Sequence, residues 1–100
     1  MYLLQGKLTA QTSQAEELAD ILSDAAQLMK TAEGCKLYIL GKDDNDPNAV
    51  YVTEIWESKE HHDQSLNVEG VRELISKAMP LLDGLPKKEQ ELQIIGGIGI

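Results

Sequence analysis

The stretch Val50–Leu66, VYVTEIWESKEHHDQSL, decides how this chain is read. Val50 to Trp56 is rich in β-branched and aromatic residues and free of Gly and Pro, which is the composition of a strand. The strand stops at Trp56. Ser58 is placed to cap a helix, and His61, His62 and Ser65 follow within its first two turns. A large aromatic at a strand end, beside a helix carrying imidazoles and a hydroxyl, has the chemistry of a small-molecule site.

Upstream, Met1 to Ala10 alternates with period two, as a strand does. Tyr2, Leu4, Gly6, Leu8 and Ala10 share one face, and Leu3, Gln5, Lys7 and Thr9 the other. Ser13 with Glu16 forms a capping-box pattern that predicts a helix to about Thr31. Its apolar stripe is Leu18, Ile21, Leu22, Ala25, Leu28 and Met29, and Gly34 is a natural stop. Cys35 to Lys42 reads as a second strand, joined by the polar loop Asp43–Asn48 to the strand Ala49–Trp56 as an antiparallel hairpin. Asp44, Asp46 and Asn48 resemble alternate calcium ligands, but Ala49 replaces the turn glycine and Ile55 the bidentate Glu, so calcium is excluded.

Downstream, Ser58 to Leu66 reads as a short helix, and Asn67 is expected to cap a second segment starting at Val68. Val71, Leu74, Ile75, Ala78 and Met79 form that segment's stripe, which should end or kink at Pro80. Lys88 to Ile95 is the last strand, and the Ile-rich tail Ile94–Ile100 is expected to pack on a second subunit. The order β-α-β-β-α-β predicts a single α+β domain over residues 1–100, a ferredoxin-like fold with a four-stranded antiparallel sheet. Both helices should cover one face of the sheet. The opposite face is then left with Leu, Tyr, Val and Trp side chains, and a homodimer is the simplest cover.

Composition narrows the function classes. Seventeen acidic and nine basic residues give a formal charge of −8, and Arg72 is the single arginine. No clustered positive surface exists for phosphates, which argues against nucleic acid and anionic membranes as partners. No signal peptide is evident, and no run approaches the ~20 apolar residues of a membrane span, so a cytoplasmic protein is expected. Cys35 is the only cysteine, placed as a small core residue. His61 and His62 are adjacent and point about 100° apart on a helix, so they cannot chelate one ion, and no metal is expected. GGIGI, residues 96–100, lacks the helix that would turn such glycines into a phosphate cradle.

One of the two histidines should face inward near the end of the Trp56 strand. There a neutral imidazole can accept a phenolic proton, and Trp56 can wall a flat ligand. Trp56 and one of His61 and His62, with His62 preferred, are the candidate catalytic pair. Gln5, Tyr38, Tyr51 and Ser65 are candidate substrate contacts around a pocket between sheet and helices.

The run EIWESKEHHDQSL, Glu54–Leu66, resembles the signature of antibiotic-biosynthesis-monooxygenase domains, in which a strand ending Glu-x-Trp-x-Ser leads into a short helix. Glu54, Trp56 and Ser58 match that pattern. The resemblance implies a dimeric α+β barrel and cofactor-independent, metal-independent oxidation of a quinol or phenolic small molecule by oxygen, through deprotonation and electron transfer. Many members carry a histidine nine residues after the Trp, here Ser65, and another near Gly70. His62 is then expected to take the proton-transfer role from a neighbouring helix position. A non-catalytic ligand-binding or stress-response dimer on the same barrel is the alternative.

Overall fold

A computed structural model describes residues 1–100. The elements are β1 (Tyr2–Thr9), α1 (Ala15–Leu28), β2 (Cys35–Asp43), β3 (Asp46–Trp56), α2 (Lys59–Gln64), α3 (Val71–Ala78) and β4 (Lys87–Gln93). Short 3-10 turns follow each helix, at Met29–Thr31, Ser65–Asn67 and Met79–Leu81. The sheet order is β2-β3-β1-β4 with every neighbouring pair antiparallel, the ferredoxin-like arrangement expected from the element order. No helix is long and apolar enough to cross a membrane.

Strand register decides which side chains meet the helices. Tyr2 pairs with Trp56, Leu4 with Glu54, Gly6 with Val52 and Leu8 with Val50, and Tyr38 and Leu40 continue these rows on β2. This face packs on α1 and α3 in two clusters. Leu18, Leu22, Val50, Ala78 and Leu82 form one around Ala10. Met29, Trp56 and Val71 form the other, with Tyr2 and Tyr38 against it. The Trp side chain expected on the uncovered face, Trp56, is instead at the centre of the core, as is Val50. The face away from the helices carries Leu3, Gln5, Lys7, Leu37, Ile39, Tyr51, Thr53, Ile55 and Leu92 instead.

Local chemistry moves several boundaries. Ser13 does not cap α1: its φ is +72°, and Gln14 is the N-cap residue with no side-chain bond. The β2–β3 connection is tighter than a six-residue loop. Asp43 pairs with Asp46 around the turn Asp44–Asn45, and the Asn45 amide donates to Asp43 Oδ1 at 2.9 Å. Asn67 caps nothing. Gly70, at φ +90°, starts α3, because glycine adopts that left-handed geometry without steric cost. β4 ends at Gln93, where the Ile94 amide donates to the Met1 carbonyl at 2.8 Å. Between Gln5 and Gly6 the β1–β4 register slips by one residue, a bulge that puts Lys88 opposite Gly6.

Candidate functional site

Ser58 organises the segment after β3. Its Oγ accepts the His61 backbone N–H at 3.2 Å, satisfying a first-turn donor of α2 as an N-cap should. Once that turn is fixed, the two histidines diverge. His61, half-buried like His62, turns toward the loop before β2, with Nδ1 2.6 Å from Ser58 Oγ and Nε2 3.7 Å from Glu57 Oε2. Its ring lies against Gly34, where an added Cβ would sit within 2.5 Å of it. His62 turns inward. Its ring meets the Trp56 indole edge-on and the Tyr2 ring at a tilt, each with centroids 5.9 Å apart.

Trp56 is fully buried, so its indole N–H needs a partner. Glu54, two residues upstream on the same strand face, supplies one: Nε1 donates to Oε1 at 3.0 Å. The same Oε1 lies 3.8 Å from His62 Nε2, and His62 Nδ1 lies 3.1 Å from Asp63 Oδ1. Burial is the main force on Glu54 and raises its pKa, while the indole N–H and the His62 charge pull the other way. Tyr38, across β2 from Glu54, is also raised well above the usual phenol range, by burial and then by the Glu54 charge. Tyr2 donates to Glu91 Oε1 at 2.9 Å and is pushed up to about 12, first by desolvation and then by that bond.

Glu54 and Tyr38 open onto a cavity of about 370 Å³ between sheet and helices. Leu4, Leu8 and Val52 form its apolar floor around Gly6, Leu22 and Ile75 its roof, and Pro86 and Lys88 its rim. A second, wholly apolar hollow of about 200 Å³ between α1 and α3 adjoins it, sharing Leu8, Leu22, Ile75 and Pro86. The first lies within the ~300–1,000 Å³ range of small-molecule sites. A largely apolar cavity holding one carboxylate with raised pKa suits proton abstraction from a weakly acidic hydroxyl.

The candidate residues separate into groups. Tyr38 lines the cavity, and Trp56 and His62 stand directly behind Glu54. Gln5 and Tyr51 lie on the uncovered sheet face, where Gln5 Nε2 donates to Thr53 Oγ1 at 3.4 Å and the Lys7 ammonium sits 5.7 Å from the Tyr51 ring centre. Ser65 borders a separate surface hollow with Thr31, His61 and Asn67. Glu54 is the residue that sequence reasoning left out of the site. Its signal was strand alternation: a carboxylate two residues before the Trp shares its face with Val50 and Val52, both buried and apolar. No three His, Cys, Asp or Glu side chains converge as metal ligands.

Residues 1–77 match the antibiotic biosynthesis monooxygenase family. A comparison with curated proteins gives no match. Among solved structures, a protein of Chloroflexus aurantiacus assigned to the antibiotic biosynthesis monooxygenases is 34% identical, with 99% of this chain and 97% of that chain covered and a TM-score of 0.84. A Deinococcus radiodurans protein of the same assignment is 26% identical over 100% and 98% of the two chains, at a TM-score of 0.82. One from Caulobacter crescentus, 19% identical over 95% and 90%, shares the fold at a TM-score of 0.85. The chain belongs to the antibiotic biosynthesis monooxygenase family.

Proposed function

We propose that this protein is a monooxygenase that oxidises a quinol or phenolic small molecule with molecular oxygen, without a metal or prosthetic group, in the cavity beside Glu54. The observation that carries this reading is a buried carboxylate opening onto a largely apolar chamber, with Tyr38 beside it and Lys87 and Lys88 at the rim. A phenolic hydroxyl bound there hands its proton to the Glu54 carboxylate, whose raised pKa makes it the stronger base. The phenolate is a far better electron donor than the phenol. It reduces oxygen by one electron, and the two radicals recombine on the ring. Loss of water then leaves a quinone: one oxygen atom stays as the new carbonyl and the other departs as water. The protein's part is to desolvate, orient and deprotonate, since the substrate supplies the electrons.

The working unit in this reading is a homodimer. Leu3, Leu37, Ile39 and Leu92 lie on an apolar sheet face that no helix of the chain covers, and Ile39 is 54% exposed. Ile95 and Ile98 in the tail are almost fully exposed. Both surfaces fit burial against a second copy.

Oxygen uptake with a panel of hydroquinones tests the activity. The wild type should exceed the spontaneous rate, and Glu54→Gln should lose roughly 10²-fold or more, the usual worth of a general base. Uptake no faster than in buffer, with ligand bound, would leave a binding protein and end the monooxygenase reading.

A further inference from the structure

His62 does not line the cavity, although it is the only imidazole turned toward the core. A substrate in the chamber meets Glu54 first, with the imidazole behind it. Side-chain exposure rises step by step along this row: 12% at Glu54, 28% at His62 and 58% at Asp63. The three groups make one short path from the cavity wall to bulk water.

We propose that His62 is the exit relay for the proton that Glu54 takes from the substrate, passing it through its ring to Asp63 and solvent. This rests on the reading of the cavity as the place where a phenol is deprotonated. The substrate O–H bond breaks and its proton forms an O–H bond on Glu54. That proton next moves to Nε2 of the imidazole while the Nδ1 proton leaves to Asp63 Oδ1 or water. No electron moves, and Glu54 returns to the carboxylate form. Burial alone would hold the proton on Glu54 and stall a second turnover, which is why an acceptor behind it matters. The 3.8 Å gap is longer than a hydrogen bond and is closed by a small swing of the partly exposed ring.

Around the pair no side chain competes as a proton acceptor, and the cavity side is lined by Lys87 and Lys88 of β4. On β1, Tyr2 packs on the ring and is itself tied to Glu91 of β4, which also holds Lys88 and Lys59. On β2, Tyr38 and Cys35 face Glu54, and both are driven toward their neutral forms by burial. From the helical layer, Met29 and Val71 pack on Trp56 with apolar surface only. His62 acts through Glu54 and is therefore a positioning and relay residue, with Glu54 as the catalytic base.

The test follows protons without requiring turnover. 4-Nitrophenol is mixed with the full-length protein in weakly buffered solution at a pH where the free phenol is neutral. Its phenolate absorbance reports ionisation in the cavity, and a pH indicator reports release to solvent. In His62→Gln, ionisation should persist while release slows by roughly 10²-fold, and added imidazole should restore it. Unchanged tryptophan fluorescence and unfolding midpoint would show that packing on Trp56 survives. Release at the wild-type rate in His62→Gln overturns the relay, and so does a slowed release that imidazole fails to restore. Should the glutamine variant misfold, His62→Asn is put through the same measurements. Failure of the wild type to ionise 4-nitrophenol overturns both the base and the relay. Proton release intact without hydroquinone-dependent oxygen uptake removes only the monooxygenase reading.

Discussion

The indole N–H of Trp56 donates to Glu54 Oε1 across 3.0 Å, so the largest core side chain and the buried carboxylate position each other. Trp56→Phe keeps most of the packing and removes the donor. That donor favours the charged carboxylate, so its loss raises the Glu54 pKa further. The acid limb of the oxygen-uptake profile should move to higher pH, with a stability loss of about 1–2 kcal/mol in urea unfolding. Trp56→Ala, which also empties the core, should cost about 3–5 kcal/mol.

Glu54 itself works against stability at neutral pH. Its folded pKa lies above the unfolded value of 4.5, so keeping the buried carboxylate charged costs more in the native state than in the unfolded chain. Stability from this group is full below the unfolded pKa and is lost as pH rises through the folded one. Glu54→Gln should therefore raise the unfolding midpoint near neutral pH, and the gain should vanish at about pH 4. Urea titrations at both pH values give the comparison.

Gly34 meets two demands at once. Its φ is +83°, and a Cβ would run into the His61 ring. Gly34→Ala should cost about 2–4 kcal/mol, from left-handed strain plus overpacking, and should displace His61. Gly84, at φ +87° but with open space around it, isolates the backbone part. Gly84→Ala should cost only about 1 kcal/mol by thermal unfolding.

Ile39 lies midway along the edge strand β2, exposed on the sheet face away from the helices. The wild type should sediment at twice the 11.0 kDa chain mass, and Ile39→Glu should shift it to that of one chain. Far-UV circular dichroism should stay unchanged, because the side chain has no role in the core. A wild-type monomer at micromolar concentration would dispose of the dimer.

Much of the fold was legible because hydrophobic period and turn chemistry are local. The split βαβ order, the Ser58 cap and the inward turn of one histidine all follow from neighbours in sequence. Face assignment was not local. Alternation shows that Gln5 opposes Leu4, and that Tyr51 opposes Val50, but not which set meets the helices. Only the packing of Trp56 and Tyr2 against Met29 and Val71 settles that, and it sends Gln5 and Tyr51 to the uncovered side. The caps went astray for a related reason. Ser13 and Asn67 have cap-forming side chains, yet Gln14 and Gly70 hold those places because the incoming chain direction sets the backbone angles. Glu54 was passed over because a strand carboxylate reads as solvated until the helices above it are in place.

The break between α2 and α3 separates two jobs. His62 rides on a six-residue helix anchored by Ser58 to the end of β3, while Ile75, on α3, roofs the cavity. Gly70, at φ +90°, stands between them and interrupts helical continuity. Changes in α3 can therefore enlarge, shrink or reshape the chamber while the proton-handling groups keep their places. A scaffold divided in this way lets substrate range drift by substitution in one helix, with the chemistry inherited intact from the other.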